Sequence, residues 1–289
     1  MNRTTLRRPL ALLLLLALAA GATAGCGSGA AEDPILRMSA AEALERGKEL
    51  MAAEKYGRAR KLLSHAFEVE PNSRAGREGL LLLADSYYLA GNQANWIQAE
   101  AKYRDFLNRF PTSDQAAYAQ YQIANSLAER VEKPNRDQSA TFKAVQAYQE
   151  LVRLYPTSEY AAEAQAKIQQ VQDQLAAHEF IIGDFYLRYR YPSAAIGRFE
   201  ELLERFPDYS ERDKVLYHLG VAYMRSRLPD LQAKAAPTFE QLEQEYPESR
   251  WVDEIPSDLP PAEVPATDAG SDESAGSGTI ADDEEGAPS

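Results

Sequence analysis

The sequence has little of what catalytic and metal centres are built from. It holds one cysteine, Cys26, and three histidines, His65, His178 and His218, spread over 289 residues. A lone cysteine excludes an intramolecular disulfide framework, and no CxxC or HExxH spacing is present to hold zinc. GxxxxGK[ST] and GxSxG are absent too, which removes a phosphate-cradling loop and an exposed serine nucleophile. The acidic run Asp282–Glu285 lacks the spacing and the glycine of a calcium loop. No catalytic residue, metal ligand or cofactor is therefore assigned. The longest uncharged apolar run, Pro9 to Ala20, is 12 residues, short of the ~20 that a spanning helix needs. Positive charge is scarce: the net charge is −13. That balance speaks against nucleic acid, whose phosphates need a basic patch. It also speaks against electrostatic adhesion to anionic lipid.

What is present begins at the amino end. Arg3, Arg7 and Arg8 precede the apolar run, and the small residues Gly21 to Gly25 follow it. A positive start, an apolar middle and a small-residue end are the layout of a secretory signal. Residues 1–25 are therefore set apart from the fold as a signal peptide, and Cys26 falls where cleavage would occur. "TAGC" resembles the lipobox of bacterial lipoproteins, with Thr23 where leucine is commoner. That resemblance implies covalent diacylglycerol and N-acyl chains, palmitate among them, on Cys26. The alternative is an ordinary secretory signal with a stray thiol. One acyl chain holds a protein to a bilayer only marginally, and two or more hold it stably. Residues 26–38, opening with "CGSGAAEDP", read as a tether of low packing capacity. Gly27, where aspartate would retain a lipoprotein in the inner membrane of well-studied bacteria, implies the outer membrane by the same resemblance.

Removing three arginines with residues 1–25 takes the net charge from −13 to −16. Eleven of the acidic residues lie between Asp253 and Ser289, a segment with no lysine or arginine. Residues 253–289 cannot bury enough apolar surface to offset chain entropy, so the expectation is a disordered tail. It reads as a solubilising appendage, with an interaction tail as the alternative.

Between them, residues 39–252 carry an internal repeat. "AFEVEPNS", "FLNRFPTS", "LVRLYPTS", "LLERFPDYS" and "LEQEYPES" end on Pro71, Pro111, Pro156, Pro207 and Pro247, at spacings of 40, 45, 51 and 40 residues. Upstream of each proline run Ala59/Leu63/Ala66, Ala99/Tyr103/Phe106, Ala144/Tyr148/Leu151, Ala195/Phe199/Leu202 and Ala235/Phe239/Leu242. Spacings i, i+4 and i+7 lie on one helical face. The small alanine admits a neighbouring helix, the proline stops the helix, and the serine after it can cap the next. Gly47, Gly183 and Gly220 mark a matching upstream helix. These offsets resemble the 34-residue tetratricopeptide repeat, lengthened by insertions such as Glu129–Ser139. The expected fold is all-α: a solenoid of about five helix–turn–helix repeats. One helix of roughly 30 residues, from the segment after Ser158 past Gly183 and with a kink possible in principle at that glycine, joins the third repeat to the fourth. Stacked repeats of this type present a concave surface that suits extended or helical peptides. Tyr87, Tyr88, Tyr118 and Tyr121 sit on first helices and are candidate groove contacts, although successive residues cannot share one face. Arg136, Asp137 and Gln138 form either a loop-to-groove polar lock or a solvated loop held by its own turn.

Taken together, the lipobox, the "FPTS/YPTS" ends, "RDQ" at Arg136–Gln138 and "AEAQAKIQQVQDQLAAHEFIIGDFYLRY" resemble the BamD (YfiO/ComL-like) outer-membrane assembly lipoproteins over residues 26 to 252. The resemblance implies a periplasm-facing scaffold, anchored in the outer membrane, with no catalytic chemistry. It implies binding to the periplasmic domain of the barrel insertase through the C-terminal repeats, alongside other assembly lipoproteins. It further implies engagement of unfolded outer membrane proteins through the N-terminal repeats. The alternative is another repeat-type envelope lipoprotein, such as a secretin pilotin or a peptidoglycan-linked coordinator.

Overall fold

A computed structural model of the chain describes residues 33–260. Residues 1–25, Cys26, the first part of the expected tether and most of the acidic tail lie outside the described residues. Among those described, every regular element is helical. A 3-10 turn (Pro34–Arg37) leads into α1 (Ala40–Ala52), α2 (Tyr56–Val69), α3 (Arg74–Leu89), α4 (Gln93–Arg109), α5 (Ala116–Ala128) and α6 (Ser139–Leu154). Then follow α7 (Ala161–Arg188), α8 (Pro192–Arg205), α9 (Arg212–Met224), the short α10 (Pro229–Gln232) and α11 (Ala235–Glu245). The chain divides into two compact units, up to Leu175 and from Ala176, and α7 runs across the division. In the first unit each helix from α1 to α6 packs on the next, and in the second α9 packs on both α8 and α11.

The repeat has a clear physical basis. All fifteen residues of the five Ala-x3-large-x2-apolar motifs are at most 2 % exposed. Each alanine, four residues before the large side chain, leaves the neighbouring helix room to approach. In α7, a Cβ added to Gly183 would sit 2.5 Å from the Phe199 ring, and one added to Gly220 in α9 would sit 2.6 Å from Phe239. The glycine of the first helix is thus the seat for the aromatic of the second. α7 is one helix of 28 residues, helical through Gly183.

The prolines act through the residue before them. Proline's Cδ disfavours the helical region at the preceding position. Glu70, Phe110, Tyr155, Phe206 and Tyr246 all leave the helix with φ between −127° and −137° and ψ between 57° and 70°. In the last four, the N–H of that residue still closes the final helical turn, at 2.8 to 2.9 Å. A turn follows in which the serine N–H donates back to the carbonyl of the same pre-proline residue: Ser73 to Glu70, Ser113 to Phe110, Ser158 to Tyr155 and Ser249 to Tyr246.

Here the expected capping by serine needs correcting. Ser73 does cap α3, its Oγ accepting from Gly76 N at 3.0 Å. After Ser113 and Ser158 an extra turn intervenes, closed by Ala116 N to Ser113 O and by Ala161 N to Ser158 O. The serine then stands too far ahead to reach the helix, and Ser113 Oγ accepts from Gln115 N instead. Ser39, ahead of the repeats, builds a full capping box with Glu42, and those hydrogen bonds hold the Glu42 carboxyl below its usual range.

Candidate functional site

The first helices of the N-terminal unit carry a polar chain built almost entirely from tyrosine and amide side chains. Asp85 of α3 accepts on one oxygen from Tyr103 of α4 at 2.6 Å and from Tyr118 of α5 at 3.0 Å. Gln122 donates to the Tyr118 hydroxyl at 2.9 Å, Asn125 to Gln122 at 2.9 Å, and Tyr148 of α6 to Asn125 at 2.6 Å. Four helices are joined by one sequence of bonds, which fixes their mutual register more firmly than isolated pairs would. Burial pushes the Asp85 carboxyl above its usual range, with the two tyrosine hydrogen bonds pulling the other way. It pushes Tyr103 and Tyr118 up as well, so both remain donors at neutral pH.

Asp85 forms part of the wall of a groove of about 770 Å³. Arg74, Arg77 and Glu78 supply charge, Leu81, Leu82 and Phe106 supply apolar surface, and Thr112 to Gln115 close one side. The groove thus offers both charged and apolar contacts. Because its folded carboxyl titrates above the unfolded one, Asp85 costs nothing below about pH 4 and progressively more as pH rises through its folded value. Asp85→Asn keeps an acceptor for both hydroxyls and removes the charge. It is expected to match the wild type in urea unfolding near pH 4 and to exceed it at pH 7.

The four tyrosines singled out in the sequence separate as their positions require. Tyr118 lines this groove. Tyr121 is buried at 8 % exposure, stacks on Tyr160 at 5.0 Å and 19°, and its pKa is pushed up to about 12, chiefly by burial. Tyr88 donates to Glu129 at 3.4 Å, and burial with that carboxylate raises it to about 12. Tyr87 points elsewhere: the Arg60 guanidinium of α2 lies 3.9 Å over its ring and also donates to Ser86 O at 3.0 Å.

The Arg136–Gln138 loop locks onto itself rather than onto a groove. Gln138 is buried and donates to the carbonyls of Lys133 and Arg136 at 3.1 and 3.0 Å, while accepting from Thr141 at 2.8 Å. Asp137 accepts from Ser139 N and Oγ. The side-chain hydrogen bonds of Asp137 and Gln138 stay within residues 133–141, and Arg136 and Asp137 are exposed. A short loop ahead of a helix satisfies its own carbonyls at less entropic cost than reaching across a groove. The start of the longer connection is pinned separately, by Arg130 to Glu100 at 2.7 Å.

In the C-terminal unit, His218 is enclosed by rings. Phe180 at 5.0 Å, Trp251 at 5.1 Å and Tyr217 at 5.3 Å surround it, and its Nδ1 pairs with Lys214 O at 2.8 Å. Burial lowers its pKa, so the imidazole is a neutral packing element. One group of exposed apolar side chains in this unit runs along the end of α7 and just past it. Ile181, Phe185 and Tyr189 recur at intervals of four and are 38 %, 50 % and 64 % exposed, with Tyr191 beside them in sequence at 63 %. The Phe185 and Tyr189 rings meet at 4.5 Å. Sequence reasoning passed over both this stripe and Asp85. The signal for Asp85 was a single acid following the apolar run Leu80 to Ala84. Among the described residues no group of histidine, cysteine and acidic side chains could hold a metal ion, and no helix is long and apolar enough to cross a membrane.

The model of the family YfiO, described as outer membrane lipoprotein, matches residues 37–236. The chain is 31 % identical over 202 residues to the outer membrane protein assembly factor BamD of Rickettsia prowazekii (strain Madrid E), a match spanning 70 % of this chain and 78 % of that one. It is 32 % identical over 181 residues to the protein of the same name from Caulobacter vibrioides, spanning 63 % of this chain and 57 % of the relative. Among solved structures, the TPR2AB-domain–pHSP90 complex of yeast Sti1 aligns over 74 % of this chain and 80 % of that one, at 13 % identity and a TM-score of 0.40.

Proposed function

This chain belongs to the YfiO family of outer membrane lipoproteins, and from that membership we propose that it is a non-enzymatic scaffold for assembling β-barrel proteins into the outer membrane. The observation that carries the reading is the match of residues 37–236, which hold four complete copies of the helical motif, to the family model, together with relatives named as outer membrane protein assembly factors. The anchor is acylated Cys26, and the repeats face the periplasm. The α3–α5 groove takes an extended segment of an unfolded barrel protein: guanidinium groups and a carboxylate pair with its backbone and termini while Leu81 and Leu82 receive apolar side chains. The α7 stripe receives the periplasmic domain of the barrel insertase. Ring faces of this kind are what binding hot spots use.

Tagged protein recovered from mildly solubilised membranes is expected to bring the insertase with it in near-equal amounts, identified by mass spectrometry. Recovery of a secretin or of peptidoglycan enzymes without the insertase would overturn the assignment. The anchor has its own test. Cys26→Ala is expected to leave helical content unchanged by circular dichroism and to move the protein from the membrane pellet to the soluble fraction, since two or more buried acyl chains supply stable attachment. Retention in a high-salt-washed pellet would show that a protein contact is the main tether.

A further inference from the structure

The net charge of −13 conceals a local excess of the opposite sign. From Lys55 to Phe67 the chain has Lys55, Arg58, Arg60 and Lys61 and no acid. Two grooves flank α2 at this point, of about 450 and 430 Å³. Lys55 and Arg58 line the first and Lys61 and Lys102 line the second; Arg60 lines both, with its guanidinium turned onto the Tyr87 ring and Ser86 O. Glu54 in the first groove, and Asp33 and Glu68 in the second, are the opposing charges. Asp33 is engaged with Ile35 N, and Glu68 accepts from Ser64 at 2.7 Å. Among the described residues, none of Lys55, Arg58, Lys61 and Lys102 is in an ion pair, although arginines nearby are: Arg104 with Glu100, Arg109 with Asp105. Lys55, Arg58 and Lys61 are exposed. Basic residues at the start of a helix oppose its dipole, so local helix stability does not account for them.

The same surface holds the amino end of the described chain. Asp33 and Leu36 line the second groove, and the carbonyl of Met38 is held by His65 Nε2 at 3.0 Å. Asp33 is the seventh residue after Cys26, with six between them. At about 3.5 Å per residue this link lets Asp33 stand no more than about 25 Å from the acylated residue. Leu36 is 63 % exposed, and Leu89, adjacent in sequence to Ala90 of the first groove, is 54 % exposed.

We propose that the surface bearing Lys55, Arg58 and Lys61 at the start of α2 and Lys102 of α4 docks on the headgroups of anionic phospholipid, orienting the N-terminal unit on the membrane to which Cys26 ties it. The proposal rests on the lipid-anchor reading for proximity. The remote acids do not cancel it, because at about 0.1 M salt charges beyond about 10 Å are largely screened. The acidic residues after 260 match the patch in charge too, but the short link from Cys26 places lipid there without a search.

The test uses the chain from residue 26 with Cys26→Ala, which retains every described helix. It is sedimented with vesicles of equal parts phosphatidylglycerol and phosphatidylcholine, and with phosphatidylcholine alone, at about 0.1 M salt. Binding is expected on the first and not the second. Lys55→Glu/Arg58→Glu/Lys61→Glu, with unchanged circular dichroism, is expected to weaken it at least 30-fold, from roughly fivefold per basic side chain near an anionic surface. No binding to phosphatidylglycerol, or equal binding by the triple variant, overturns the proposal. Binding that emerges only once residues 261–289 are deleted also overturns it, since the tail would then be the occupant. The intact mass of the wild-type mature chain reports acylation separately, so a missing anchor and a missing patch give different results.

Discussion

Phe199→Ala should lower the unfolding free energy of the C-terminal unit by about 3–5 kcal/mol. The ring is fully buried, packs on Phe180 at 5.7 Å and on His218 at 6.2 Å, and occupies the space left by Gly183. Removing it opens a cavity between α7 and α8 that neither helix can close, because their register is set by Ala195 and Leu202 on the same face. Denaturant titration followed by far-ultraviolet dichroism gives the number. A loss under about 1 kcal/mol would mean that Gly183 and Phe199 are not the joint of this repeat. The reverse substitution sharpens the claim. Gly183→Ala puts a methyl 2.5 Å from the ring, an overpacking that costs about 1–3 kcal/mol. Phe199→Leu combined with Gly183→Ala should be less damaging than the two losses added, because the smaller side chain vacates the space that the methyl needs.

That joint was legible in the sequence because residue type and spacing carry the contact. Ala, a large apolar residue four places on, a second three beyond it and then proline define both a buried face and its end. All five copies obey that rule. What escaped the sequence was direction and partnership. Tyr87 and Tyr88 are neighbours and diverge, one under the Arg60 guanidinium and the other toward Glu129. Nothing in the string distinguishes them without the phase of α3 against α2. Ser113 and Ser158 looked like caps, and an extra turn displaced the helix from both. Gln138 bonds to the loop because the carbonyls of Lys133 and Arg136 are within its reach. Asp85 went unread because one carboxylate in a helix is usually solvated, and only the folded chain brings Tyr103 and Tyr118 to the same oxygen. Net charge is a coarse guide for the same reason. It averages an acidic tail with a basic helix start, whereas a surface responds to the charges within a screening length.

Phe185→Ser/Tyr189→Ser should reduce recovery of the barrel insertase at least 100-fold while leaving the fold intact. Both rings are half or more exposed and carry no core contact of the kind Phe199 makes. Their truncation therefore costs little stability, and a loss of binding is attributable to the surface itself. The size follows from what aromatic hot spots carry, about 2 kcal/mol or more each, discounted because neighbouring contributions do not add. Two features favour this stripe over other exposed side chains. The rings already touch at 4.5 Å, so little side-chain entropy remains to be lost on docking. Phe185 stands in the last turn of a helix of 28 residues and Tyr189 follows directly on its end, its N–H donating to Phe185 O at 3.1 Å, and a contact placed on a rigid element transmits position where a free loop would not. Serine preserves solubility and adds no bulk, so steric occlusion is not an explanation for a loss. Unchanged recovery of the insertase with the double variant, at wild-type stability, would remove α7 from the docking surface. Loss with Phe199→Ala and not with the double variant would trace binding to the integrity of the unit rather than to this edge.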